Sequence, residues 1–144
     1  MTSVRSVLDR LFRAAGAGDI EAVLGLWDEE GRLEDVTLGR VLTGKPAVAR
    51  YLREFFAALP DLSYLPEEIC TAGDRGIVVW RGTAHPNGSF FGLSVAPGPV
   101  SLRGVDVFRV RDGRVVRELS WYGDGWLFER MSGGRIPAGG RGET

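Results

Sequence analysis

With 144 residues, 44% of them apolar, the chain has the size of one compact domain that can bury a substantial core. Its 18 basic and 19 acidic side chains leave a net charge of -1 with no long single-sign run, which argues against a nucleic-acid stripe and a polybasic membrane segment. One cysteine, Cys70, and one histidine, His85, exclude an internal disulfide framework and a multi-cysteine or histidine-rich metal site, so the expected partner is a small molecule or another protein, with no metal and no cofactor.

In MTSVRSVLDRLFRAA, Val4, Val7, Leu8, Leu11, Phe12 and Ala15 repeat at the spacing of one buried helix face, and Gly16 and Gly18 end the run. The segment lacks the apolar run of a signal peptide and nothing reaches a transmembrane length, so the expected location is cytoplasmic. Asp19 suits an N-cap for a short helix, IEAVLGLW, closed by a DEEG turn and followed by a brief strand, RLEDV. Pro46 begins a third helix whose apolar stripe is Val48, Tyr51, Leu52, Phe55 and Leu59, and Pro60 stops it. From Ser63 the pattern turns to strands: SYLPEEICT, IVVWRGTA, FFGLSV, VSLRGVDVFRV and RVVRELSWY, separated by glycine-rich turns. The expected class is α+β, one domain over 1–131, with a loose glycine-rich tail over 132–144.

Asp106 stands out, because its strand is apolar on both faces and a carboxylate there must be paired, hydrogen-bonded or protonated. Alternation puts Leu102, Gly104, Asp106, Phe108 and Val110 on one face. A three-residue loop at RDG sets Asp106 opposite Glu118, and a two-residue loop sets it opposite Leu119; the longer loop is preferred because it keeps Arg117 off that face. Asp106, Glu118, Ser120 and Tyr122 then share a surface. Two carboxyls roughly 5 Å apart and away from water share one proton near neutral pH, giving an acid beside an acceptor. The competing reading is an arginine that neutralises the pair, with Arg81 and the helices as sources.

The order of elements, with AAGAGDIEAVLGLW, GRLEDVTLG, GKPAVARYLREFFAALPDL and GVDVFRVRDGRVV, resembles the nuclear transport factor 2-like superfamily over roughly residues 4 to 131. It is most similar to the SnoaL-like polyketide cyclases and ketosteroid isomerase-like enzymes. The resemblance implies a cone-shaped α+β barrel: three N-terminal helices packed on a curved, mostly antiparallel sheet around an apolar pocket, in a homodimer joined through the sheet's outer face. In ketosteroid isomerases an aspartate base and a neutral aspartic acid share the pocket with a tyrosine. The resemblance matches the base to Asp35 and the neutral acid to Asp106, whereas the tyrosine falls on Leu11; Tyr51 and Tyr122 are hydroxyls on other walls. The usual acid of SnoaL-like cyclases, near the end of the last strand, falls on Gly123, with Asp124 one residue late. Either a bulge brings Asp124 into the pocket or Asp35, Asp106 and Glu118 carry the chemistry, the reading preferred here because a one-residue slip turns a side chain to the other face.

Leu11, Phe55, Trp80, Phe108, Ser120 and Tyr122 are the expected substrate-binding residues, with Trp80 either stacking on a flat ligand or packing in the core. His85 is a surface histidine or a proton shuttle at the mouth. The implied function is a cofactor-independent acid–base enzyme acting on an apolar polyketide- or terpenoid-like intermediate by cyclisation, isomerisation or epoxide opening. The competing class is a non-catalytic dimeric module that binds a small molecule.

Overall fold

A computed structural model of the chain describes residues 2–123; Asp124, Trp126 and the expected tail over 132–144 lie outside the described residues. Helix α1 (Val4–Gly16) starts where the Ser3 side chain accepts from the Ser6 backbone N–H, and it buries Val7, Leu8, Leu11, Phe12 and Ala15. Helix α2 (Ile20–Gly25) is capped by Asp19, which accepts from Ala22 N–H. It ends earlier than the apolar spacing suggests, because Trp27 already belongs to strand β1 (Trp27–Asp35). The DEEG segment is an irregularity within β1 between Trp27 and Arg32 rather than a turn. A short strand, β2 (Arg40–Thr43), pairs back on β1 and precedes helix α3 (Lys45–Ala58), which has Pro46 in its first turn.

The remaining strands are β3 (Ser63–Ala72), β4 (Arg75–Ala84), the short β5 (Ser89–Phe90) and β6 (Leu93–Ser94), β7 (Val100–Arg111) and β8 (Arg114–Tyr122). FFGLSV does not form a single strand: β5 and β6 make a small hairpin of their own, turning at Phe91 and Gly92, both with positive φ. Phe90 packs edge-on against Phe55 and Tyr122, while Phe91 stacks on Tyr51 beneath the Arg40 guanidinium.

The main sheet has six strands in the order β2-β1-β8-β7-β4-β3, with β1 parallel to β8 and every other pairing antiparallel. The cone-shaped barrel implied by the resemblance is corrected here: the sheet is open, not strongly curled, and its edges β2 and β3 do not pair with each other. Closing a barrel needs every strand hydrogen-bonded on both sides. Helices close the inner face instead, α1 against β3 and β4, and α3 against β1 and β2. Gly76 permits the first contact, since a Cβ there would lie 2.4 Å from Leu8 Cδ1. Among the described residues no helix is long and apolar enough to cross a membrane.

The β7–β8 register also corrects the expected pairing. The loop is Asp112-Gly113, closed by Arg111 opposite Arg114, and a bulge at Val116 of β8, across from Arg109 and Val110, shifts the pairing beyond it by one. Asp106 therefore faces Ser120, and Phe108 faces Glu118. The bulge keeps Asp106, Glu118, Ser120 and Tyr122 on the inner side, where a plain two-residue hairpin would have set Leu119 against Asp106.

Candidate active site

Two adjacent rows across the inner face place the carboxylates. One row runs Asp35, Ser120, Asp106, Val78, Ile69 across β1, β8, β7, β4 and β3. The next runs Leu33, Glu118, Phe108, Gly76. Asp35 and Asp106 are thus two strand spacings apart, roughly 10 Å, and Glu118 lies diagonally between them. Asp35 and Asp106 are fully buried, whereas Glu118 retains some exposed surface.

Asp35 is held by donors alone. Tyr51 OH donates to Oδ2 at 2.7 Å, Tyr122 OH donates to the same oxygen at 2.5 Å, and Leu38 N–H donates to Oδ1 at 2.8 Å. That set matches a carboxylate, which accepts at both oxygens and donates nothing. Burial, reinforced by the neighbouring tyrosine and Asp35, holds the Tyr51 hydroxyl well above its ordinary pKa, and burial followed by Asp35 does the same for Tyr122. Both remain donors throughout the physiological range.

Asp106 has a different shell. Ser120 Oγ donates to Oδ1 at 2.7 Å and Tyr64 OH to Oδ2 at 3.2 Å. Loss of water on burial outweighs these bonds and pushes Asp106 up to about 6. Burial, then the charge of Asp106, raises Glu118 well above the usual carboxylate range. Each carboxyl is thus shifted toward its protonated form, Glu118 the more so through the charge of Asp106. The competing expectation of an arginine neutraliser does not fit: among the described residues every ion pair involves other carboxylates, and none reaches Asp35, Asp106 or Glu118.

An apolar cavity of about 50 Å³ opens onto this pair. Of the expected residues, Leu11, Phe55, Trp80, Phe108, Ser120, Asp106, Glu118 and Tyr51 line it. Asp35 and Tyr122 do not; they stand behind Tyr51, joined to it through the hydrogen bonds on Asp35 Oδ2. His85 is exposed and bound to Asp61, its backbone N–H and ring Nδ1 each 2.7 Å from a carboxylate oxygen, so it belongs to the α3–β3 corner and not to the cavity. Those two contacts hold Asp61 below the usual carboxylate range. Among the described residues no three His, Cys, Asp or Glu side chains converge as metal ligands.

Sequence reasoning missed Tyr64. Its ring stacks on Phe12 with centroids 5.0 Å apart, meets Trp80 at 4.5 Å, and brings its hydroxyl to Asp106. The available signal was the glycine facing it: Tyr64 pairs with Gly82, and Trp80 likewise pairs with Gly104, so each large inner ring faces a position without a side chain.

Comparison with known proteins follows the same lines. The sequence profile of the SnoaL-like domain matches residues 8–118. No curated protein sequence matches the chain. Among solved structures, a proposed SnoaL-like polyketide cyclase from Jannaschia sp. CCS1 superimposes with a TM-score of 0.80 at 20% identity, over 92% of this chain and 93% of that one. AclR, a proposed hydroxylase from Streptomyces galilaeus, gives 0.77 at 19% identity over 90% and 96%. IdmH, a proposed polyketide cyclase from Streptomyces antibioticus, gives 0.76 at 16% identity over 91% and 99%. At such identities the structures share the fold, while the profile match spans most of the chain, and the protein therefore belongs to the SnoaL-like family of the nuclear transport factor 2-like superfamily.

Proposed function

We propose that this protein is a cofactor-independent acid–base enzyme acting on an apolar carbonyl intermediate of polyketide or terpenoid type, by cyclisation or isomerisation. The observation that carries the reading is the Asp106–Glu118 pair, two carboxyls without a cationic partner among the described residues, on the wall of an aromatic cavity. With one proton between them, the ionised member takes a proton from carbon and the protonated member donates to the oxygen that gains charge. Asp35 then acts through others: it fixes the hydroxyl of Tyr51, which reaches the cavity, and that of Tyr122 behind it.

A cavity of about 50 Å³ has room for a few water-sized groups, each needing roughly 10–15 Å³. It is sized for the reacting carbonyl rather than for a whole polycycle, with Leu52, Phe55 and Phe56 on its apolar wall. The same reading includes a homodimer formed through the outer face of the sheet.

The test is carbon-bound proton exchange. Wild-type protein in D2O with a cyclic unsaturated ketone should speed deuterium incorporation next to the carbonyl, followed by NMR. Asp106→Asn and Glu118→Gln should each lower that rate by roughly 100- to 10,000-fold while the ketone still binds. A ketone that binds to the wild type yet exchanges no faster than in buffer would establish a binding module and overturn the enzymatic reading.

A further inference from the structure

Among the described residues, one buried side-chain polar atom has no hydrogen-bond partner: Nε1 of Trp80. The residue is 1% exposed, so outside water does not satisfy the indole N–H, and a buried donor left unpaired is unfavourable. The ring lies across β7 at Gly104, where a Cβ would sit 2.7 Å from Nε1 and 2.4 Å from Cε2. Asp106 is the next residue on the same inner face; Ser120 and Tyr64 engage its oxygens, and the Trp80 indole lies near enough to favour its charged form without reaching hydrogen-bond geometry. Trp80, Tyr64, Asp106 and Glu118 all line the cavity. The wall beside the acid pair therefore carries a donor that faces Asp106 without completing a hydrogen bond to it among the described residues.

We propose that the Trp80 indole N–H and the Asp106–Glu118 pair together cradle a single substrate oxygen, Trp80 donating to it as negative charge develops. This rests on the acid–base reading above and extends it to the substrate. The indole N–H keeps its proton across the working pH range, so the oxygen retains one donor whichever carboxyl holds the shared proton. The neighbouring wall is flat and aromatic, with Trp80 against Tyr64 and Tyr64 stacked on Phe12. The substrate class that suits both features is a planar, conjugated carbonyl compound that passes through an enolate. No bond is made or broken by Trp80.

The probe is 4-nitrophenol, whose phenolate oxygen imitates the enolate, with nitrobenzene as the same ring lacking that oxygen. In protein carrying 15N in its four tryptophans, Trp80→Phe identifies the Trp80 indole resonance. Adding 4-nitrophenol to the wild type should move that resonance downfield and favour bound phenolate in the absorbance spectrum. Trp80→Phe should weaken phenolate binding roughly ten- to a hundredfold and leave nitrobenzene binding nearly unchanged. An unmoved indole resonance with unchanged phenolate affinity in Trp80→Phe overturns the donor role and leaves the acid–base reading intact. Equal loss of both ligands makes Trp80 a packing residue and overturns it too. If neither compound binds the wild type, the cavity reading fails and this inference fails with it.

Discussion

The difference between Asp35 and Asp106 lies in their donors. Both are buried without a cation among the described residues, but Asp35 receives three hydrogen bonds, two of them from tyrosines, while Asp106 receives two and has another carboxyl for a neighbour. Asp106 was visible from its place in a strand among apolar residues, whereas Asp35, beside Glu34 and Arg32, was visible only through the family resemblance. Their separate environments were not legible, because Tyr64 and Tyr51 come from a distant strand and a helix that only the fold brings near. The consequence for stability has a definite sign. Asp106 and Glu118 bind protons more tightly in the folded than in the unfolded chain, so stability is greatest below about pH 4 as far as these groups are concerned and falls as pH rises through about 6 and beyond. Urea denaturation of the wild type should show that decline between pH 5 and 8, and Asp106→Asn should flatten it. An equally steep decline in the variant would locate the effect elsewhere.

At the scale of elements, glycines decide which side chains reach the site. Trp80 can lie over β7 only because Gly104 has no side chain. Gly104→Ala is expected to destabilise by about 1–3 kcal/mol, the range for overpacking, and to shift the Trp80 fluorescence; an unchanged spectrum and melting temperature would show that the ring relaxes freely. Helical periodicity foretold α1 and α3 well, since their apolar stripes match the buried residues. Two features escaped it. The four residues of β2 are exposed or half-buried and offer no period, and the bulge in β8 depends on pairing geometry that local composition does not encode. That bulge is why neither hairpin register read from RDG was the observed one, although the residues of the shared face were correct.

Across the whole molecule, the outer face of the sheet carries two apolar rows, Ile77–Val107–Leu119 and Val79–Val105–Trp121, beside a row of arginines, Arg75–Arg109–Arg117. Ile77, Val105 and Trp121 are exposed. Such a patch marks an interaction surface, and a second copy of the chain is its expected occupant. Light scattering should give the mass of a dimer for the wild type and of a folded monomer for Ile77→Arg with Val105→Arg; a monomeric wild type would contradict this. The superfamily was legible from element order and a handful of segments, but the closed cone was not a safe extension of it: the edge strands β2 and β3 do not pair with each other.

The central claim is that Asp106 and Glu118 hold one proton between them at the cavity wall. Carboxyl 13C shifts, followed from pH 4 to 9 in protein labelled at aspartate and glutamate and assigned with Asp106→Asn and Glu118→Gln, measure it directly. The account expects one of the two to remain protonated at pH 7 and the removal of either to lower the pKa of the other. Two independent titrations, both complete below pH 5, would contradict it.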